Sequence, residues 1–150
     1  MTDTCKYKPT VFTELKTGDV WFVAGGKSNT AQLLKDAGAT YVFNDNNKTS
    51  ALSLNMEQVI NKAANANYWL NLHYSASAAD VLKQDKRYEI FNAYKKRNLY
   101  NNNAMINETG GNGYWECGLN HPDELLADMI KIFHPTLLPN YTLKYYKQLK

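Results

Sequence analysis

Gly25-Gly26-Lys27-Ser28 lies between an apolar run and a helical pattern, the setting in which backbone N–H groups can cradle a phosphate. A P-loop needs a further glycine where this chain has Trp21, so nucleotide binding is not expected. Two readings survive: a glycine turn that brings the backbone close to a ligand at the carboxyl end of a strand, and an ordinary strand-to-helix turn. His73, His121 and His134 share no metal-ligand spacing, and His121 is explained by its place before Pro122 at a helix start. No metal site or cofactor is therefore assigned. Ser75 and Ser77 stand near His73 without a nucleophile-elbow pattern, and Cys117 has no recognisable partner, so no catalytic residue is assigned and the chain is expected not to be an enzyme. The most distinctive stretch is Gly110-Gly111-Asn112-Gly113-Tyr114-Trp115-Glu116, where glycines around two aromatics and a carboxylate can present flat apolar faces to a ligand. The competing expectation is that one of those rings fills the core beneath the loop.

The rest of the composition narrows the class. With 150 residues the chain fits one domain able to bury a real core. Its 17 Lys and Arg against 14 Asp and Glu give a formal charge of +3, too mixed for a nucleic-acid face; Lys95-Lys96-Arg97, the one basic cluster, reads as a solvated helix end. Apolar runs such as Val20-Trp21-Phe22-Val23-Ala24 are too short to span a membrane. Cys5 and Cys117 are too few for a disulfide framework or a zinc site, although a single bridge stays open.

The elements that must position these residues alternate. Thr10 to Ala24 reads as β-rich and runs into the glycine turn and a helix capped at Ser28 or Asn29 and ended by Gly38, so strand, glycine loop, helix is the opening unit. Tyr41-Val42-Phe43 is a short strand, and a helix from Ser53 carries Met56, Val59, Ile60, Ala63 and Ala64 on one stripe. Tyr68 to His73 is a strand, Ser77 to Gln84 and Lys86 to Arg97 are helical, and Leu99-Tyr100 is another strand. Asn101 to Asn120 is a long polar connection of the kind that is usually functional or disordered. Pro122 opens the last long helix, with Leu125, Leu126, Met129, Ile130 and Phe133 as its stripe, and the aromatic tail after Pro135 should pack back on the body. The expected fold is a single α/β domain over residues 1–150, a three-layer sandwich with a mainly parallel central sheet flanked by helices, and residues 1–7 as an added or flexible leader.

In this order, Trp21 through Ser28, Leu33 to Ala39, Leu52 to Val59, Tyr68-Trp69-Leu70, Gly113 to Glu116 and the helix ending Ile132-Phe133-His134-Pro135 resemble one pattern. It is that of the C-terminal lobe of periplasmic substrate-binding proteins of ABC transporters, in the helical-backbone group that carries iron-siderophores, haem or cobalamin. The resemblance covers nearly the whole chain from about Lys8. It implies two α/β lobes joined by a long helix, a metal chelate or macrocycle held between them, delivery to permease subunits, and a periplasmic or lipoprotein-anchored parent. On this reading the chain is an excised lobe that lacks its N-terminal partner lobe. The resemblance places Trp21, Gly25, Gly26, His73, Tyr74, Tyr114, Trp115 and Glu116 on the ligand side. It also makes Glu57, in the segment similar to the family's valine-serine-x-glutamate stretch, the carboxylate that docks on permease arginines; an N-terminal helical acid favoured by the dipole is the plainer account. The alternatives are a self-sufficient module binding a partner protein or glycan, and a small α/β hydrolase using Ser75, His73 and a carboxylate.

Overall fold

Short runs of β-branched and aromatic residues form the centre of the molecule, because such side chains pack well on a pleated, buried surface. The computed structural model describes residues 7–73, 75–104, 111, 114 and 120–150. Eight strands are found among these residues: β1 (Thr10–Thr13), β2 (Lys16–Thr17), β3 (Val20–Val23), β4 (Thr40–Tyr41), β5 (Leu52–Leu54), β6 (Tyr68–Leu70), β7 (Leu99–Asn101) and β8 (Lys147–Gln148). The central sheet has the order β4-β1-β6-β7-β8; its first four strands run parallel, and β8 closes the far edge antiparallel to β7. Phe12 pairs with Trp69, and Leu70 with Tyr100.

Helices cover both faces of this sheet. Successive residues of β6 point to opposite sides, as the strand period requires. Tyr68 meets Phe133 of α5 (Pro122–Phe133) edge-on at 5.3 Å, while Trp69 packs on Phe12 and Phe91 at 4.8 and 5.1 Å. On the α5 side lies α1 (Asn29–Asp36), capped by Ser28, whose hydroxyl accepts from the Ala31 N–H. The mainly parallel sheet with flanking helices is the architecture expected from the sequence.

Two local expectations are corrected, and the strand before the glycine turn takes a place that the sequence left open. Val20–Val23 does not enter the parallel sheet: β3 pairs antiparallel with β2 and β5 in a separate three-stranded sheet, with Trp21 opposite Leu54. The helix expected from Ser53 starts later, as α2 (Met56–Ala63), because Leu52–Leu54 alternates as a strand and Asn55 with Gln58 forms the capping box. Beyond α3 (Ala78–Gln84), the segment from Lys86 is a 3₁₀ turn (Lys86–Ile90) followed by the short α4 (Asn92–Lys95) rather than one helix. Tyr88, Phe91 and Tyr94 recur at the spacing that a tighter turn stacks on one side, and all three are buried.

The tail packs back, as expected, and a buried carboxylate holds it. Asp128 of α5 accepts from the Tyr141 hydroxyl at 2.6 Å and from the backbone N–H groups of Lys144, Tyr145 and Tyr146 at 3.0, 2.7 and 3.0 Å. These charge-assisted bonds seat Tyr145, Tyr146 and Leu149 in the core and carry the chain into β8.

Candidate functional site

Open parallel sheets place ligands beyond the carboxyl ends of their strands, so the segments that leave β1, β6 and β7 are where a site is sought. The aromatic core fixes the end of β1. The Trp21 indole donates to the Thr13 carbonyl at 3.0 Å and the Trp69 indole to the Glu14 carbonyl at 2.8 Å. Glu14 then leaves the strand with φ 72° and His73, two residues past the neighbouring strand's own turn at Asn71, with φ 53°. Their side chains meet: His73 Nε2 lies 3.0 Å from Glu14 Oε2, with each side chain about one-third exposed (32% and 30%).

Asparagines build the floor beside this pair. Asn101 at the end of β7 accepts from the Leu72 N–H at 2.8 Å and donates to the carbonyls of His73 and Ser75 at 2.9 and 2.8 Å, which shapes the turn after β6. Asn71, with φ 60°, accepts from the Tyr146 hydroxyl at 2.8 Å. Tyr146 lies edge-on to Tyr114 at 5.9 Å, and burial raises both phenols above the usual tyrosine range. The Asn103 amide donates to the Ser75 carbonyl, while its own carbonyl oxygen is buried with no hydrogen-bond partner among the described residues. Among the described residues, three of the four non-glycine residues with positive φ, namely Glu14, Asn71 and His73, gather at this edge. Such backbone persists only where surrounding contacts over-determine it, and it concentrates at functional sites.

The residues expected on the ligand side separate into three groups. His73 stands at the carboxyl edge and is partly open to solvent. Tyr74, Trp115 and Glu116 lie outside the described residues, as do Cys5 and Cys117. Trp21, Gly25 and Gly26 pack against the chain itself. Trp21 is fully buried against Phe12, Trp69, Tyr88 and Phe91, where its large ring closes the core beneath the small sheet. A β-carbon at Gly25 would overlap the Lys48 carbonyl oxygen and lie 2.6 Å from that of Ser50; one at Gly26 would overlap the Asn46 carbonyl oxygen. The close approach that these glycines permit is therefore to the chain's own 44–50 loop, which also accepts the Gly26 N–H on Asn46 Oδ1 at 2.9 Å. Tyr114 is likewise buried, 3% exposed.

Sequence reasoning missed Glu14 and the asparagines. Glu14 follows a strand and precedes Leu15 with no motif around it, and only the pairing of β1 with β6 brings it to His73. A run of three asparagines directly after a strand, Asn101-Asn102-Asn103, was the available signal, since asparagine suits turns that bond back to the chain.

Among the described residues, Ser75 and His73 of the hydrolase alternative are not hydrogen-bonded to each other. Ser75 is 1% exposed, and its hydroxyl accepts from the Gln84 amide at 3.1 Å. The hydrogen-bond partners of the His73 ring are Glu14 and the Leu15 N–H. No group of three or more metal-ligating side chains occurs among the described residues.

Glu57 occupies a different surface, in the first turn of α2. It is exposed, makes no ion pair among the described residues, and borders a hollow of about 260 Å³ shared with Lys16, Asp19, Asn55, Met56 and Arg87. Asp85 holds that neighbourhood together, bound to Lys16 at 3.0 Å and to Arg87 at 2.7 Å; the Arg87 guanidinium above all lowers its pKa well below the usual carboxylate range.

No family model matches the chain. It is 27% identical over 95 residues to an uncharacterized lipoprotein of Methanocaldococcus jannaschii, an alignment of 63% of this chain and 21% of that protein. Among solved structures it is similar to the TroA-like periplasmic binding protein FepB of Veillonella parvula, with TM-score 0.66, 14% identity, and coverage of 99% of this chain and 51% of that one. It is also similar to Staphylococcus aureus IsdE, solved with heme, with TM-score 0.61, 19% identity, and coverage of 89% and 50%. The chain thus has the fold of one lobe of the TroA-like periplasmic binding proteins, and it spans about half the length of these structures and 21% of the lipoprotein. The first of these structural neighbours is a periplasmic binding protein. No helix among the described residues is long and apolar enough to cross a membrane.

Proposed function

We propose that this chain is the C-terminal ligand-binding lobe of an ABC-importer substrate-binding protein, periplasmic or lipoprotein-anchored, that captures a metal chelate of the iron-siderophore, haem or cobalamin class. The observation that carries this reading is the carboxyl edge of the parallel sheet, where Glu14, Asn71 and His73 are held in left-handed backbone beside buried amides. A site preorganised in this way suits recognition of a bulky ligand, because ordering its walls costs little at the moment of binding. The fold of a solute-binding lobe and the likeness to a heme-bound protein support it.

One half of a cleft cannot bury a chelate on both sides, so the second lobe completes the site and supplies most of the affinity. Tyr74, Trp115 and Glu116 join His73 on the ligand face in this proposal. Glu57 serves as this lobe's docking carboxylate; its exposure, and the lack of an ion partner for it among the described residues, leave it available to arginines of the permease.

Tryptophan fluorescence titrations with haem, ferric siderophores and cobalamin, run on this chain and on the two-lobed protein, test the carrier reading. Tight, saturable quenching by one ligand in the two-lobed protein and weak quenching in the single lobe is the expected result. Equal tight binding by both would replace the divided cleft with a self-sufficient module. Glu57→Arg should leave stability within about 0.5 kcal/mol of the parent, as surface changes usually do, and abolish ligand-dependent stimulation of the importer's ATPase in nanodiscs. Undiminished stimulation would remove Glu57 from the docking surface.

A further inference from the structure

The glycine turn satisfies its own backbone and leaves a lysine side chain over. Gly26, Lys27 and Ser28 donate their N–H groups to Asn46 Oδ1 and to the Lys48 and Gly25 carbonyls, so the backbone there is closed to an anion. The exposed Lys27 side chain lines a hollow of about 320 Å³, which it shares with Lys35 of α1 and Lys8 ahead of β1. None of these three forms an ion pair among the described residues, whereas Lys16, Lys62 and Lys144 each face a carboxylate. No Asp or Glu is among the described residues that line the hollow. The two nearest in sequence are engaged elsewhere: Asp36 accepts from the Gln32 amide at 2.8 Å, and Asp45 pairs with Lys62.

The opposite wall is the free edge of the central sheet. Strand β4 is outermost there, and Ala39, Thr40, Tyr41 and Asn44 line the hollow along it. The N–H groups of Thr40 and Val42 donate to the Pro9 and Val11 carbonyls at 2.8 and 3.0 Å, so the parallel register turns the Tyr41 N–H to the outer edge. It has no hydrogen-bond partner among the described residues. Three ammonium groups around one concave space repel one another, and an anion between them relieves that repulsion. A carboxylate offers two acceptor oxygens, whereas a phosphate monoester brings about two charges on three of them, enough to meet several lysines at once. We propose that this hollow binds a phosphate group, free or as a lipid headgroup, through Lys8, Lys27 and Lys35. Neither Glu14 nor His73 lines it, so the site adds to the carrier reading without resting on it.

Amide NMR shifts of this chain, followed as inorganic phosphate is added at constant pH and ionic strength, read the site residue by residue. Saturable shifts at Lys27, Lys35 and Tyr41 are expected, with little response to acetate. Lys27→Gln combined with Lys35→Gln should weaken phosphate binding about tenfold, with the thermal melt unchanged. Lys27→Arg combined with Lys35→Arg, which keeps the charge, should stay within about threefold of the parent. Flotation with phosphatidylcholine vesicles, with and without phosphatidic acid, separates the sources. Binding that needs phosphatidic acid and is lost in the double Gln variant assigns the site to a headgroup, and phosphate binding without flotation assigns it to a soluble phosphate. Shifts that never saturate, that acetate reproduces, or that persist in the double Gln variant would overturn the inference and leave the carrier reading in place. Failure to bind any chelate, haem or cobalamin, with the phosphate shifts intact, would overturn the carrier reading alone.

Discussion

Two regions of this molecule bring backbone into unusual places for opposite reasons. Around the small antiparallel sheet, Gly25 and Gly26 let the chain's own 44–50 loop press against the turn after β3, and Trp21 seals the space beneath. At the carboxyl edge of the parallel sheet, Glu14, Asn71 and His73 adopt left-handed backbone without being glycine, and two of these side chains remain partly open to solvent. The first region uses the residue that makes close approach cheap and closes the gap with its own atoms. The second accepts strain to present polar groups outward. A glycine pair beside an aromatic is thus weaker evidence for a ligand than a strained carboxylate and histidine facing each other.

The largest effect should fall on the sealed region. Trp21→Ala is expected to cost about 3–5 kcal/mol in urea unfolding, since it empties the centre of the aromatic core, and any ligand loss should follow stability rather than precede it. Loss of binding with undiminished stability would return Trp21 to the ligand side and break the contrast. Gly25→Ala comes next, at about 3 kcal/mol, because backbone carbonyls rather than flexible side chains meet the new methyl group. A change below roughly 1 kcal/mol would show that the 44–50 loop yields easily.

The pin between the small sheet and the 3₁₀ turn predicts a pH effect. Asp85 has a depressed pKa in the folded state, so its contribution is fully present above the unfolded value of about 4 and is lost as the pH falls through the lower folded value. Acid titration of thermal stability should show a shallower decline in Asp85→Asn than in the parent. Identical slopes would remove Asp85 from the acid response. The smallest effect on stability is expected at the carboxyl edge, where Glu14→Gly relieves positive φ while removing a partly exposed pair with His73. Its unfolding free energy should stay within about 1 kcal/mol of the parent, or rise, as ligand affinity drops. Strong destabilisation would make the Glu14–His73 contact a structural strut and erase the difference between the two regions.

Much of the architecture was legible in the chain. The apolar stripes of α2 and α5, the strands at Thr10, Tyr68 and Leu99, and the returning aromatic tail all follow from local periodicity, which burial enforces directly. The sheet to which Val20–Val23 belongs was not legible, because a short apolar run before a glycine turn reads the same whether its neighbours are parallel or antiparallel; Leu52–Leu54, distant in sequence, decided it. His73 was legible as a residue just after a central strand. Glu14 was not, since nothing within the chain near it signals a partner fifty-nine residues away.

The sequence by itself determined the α/β alternation, the mainly parallel sheet and the absence of lysine and arginine from the segments that follow β6 and β7, because periodicity and charge are properties of consecutive residues. Only the tertiary structure decided that Trp21 belongs to the core, that Gly25 and Gly26 accommodate the chain itself, and that Glu14 stands against His73. Those outcomes depend on which strands become neighbours, and parallel pairing joins segments whose separation no local pattern records.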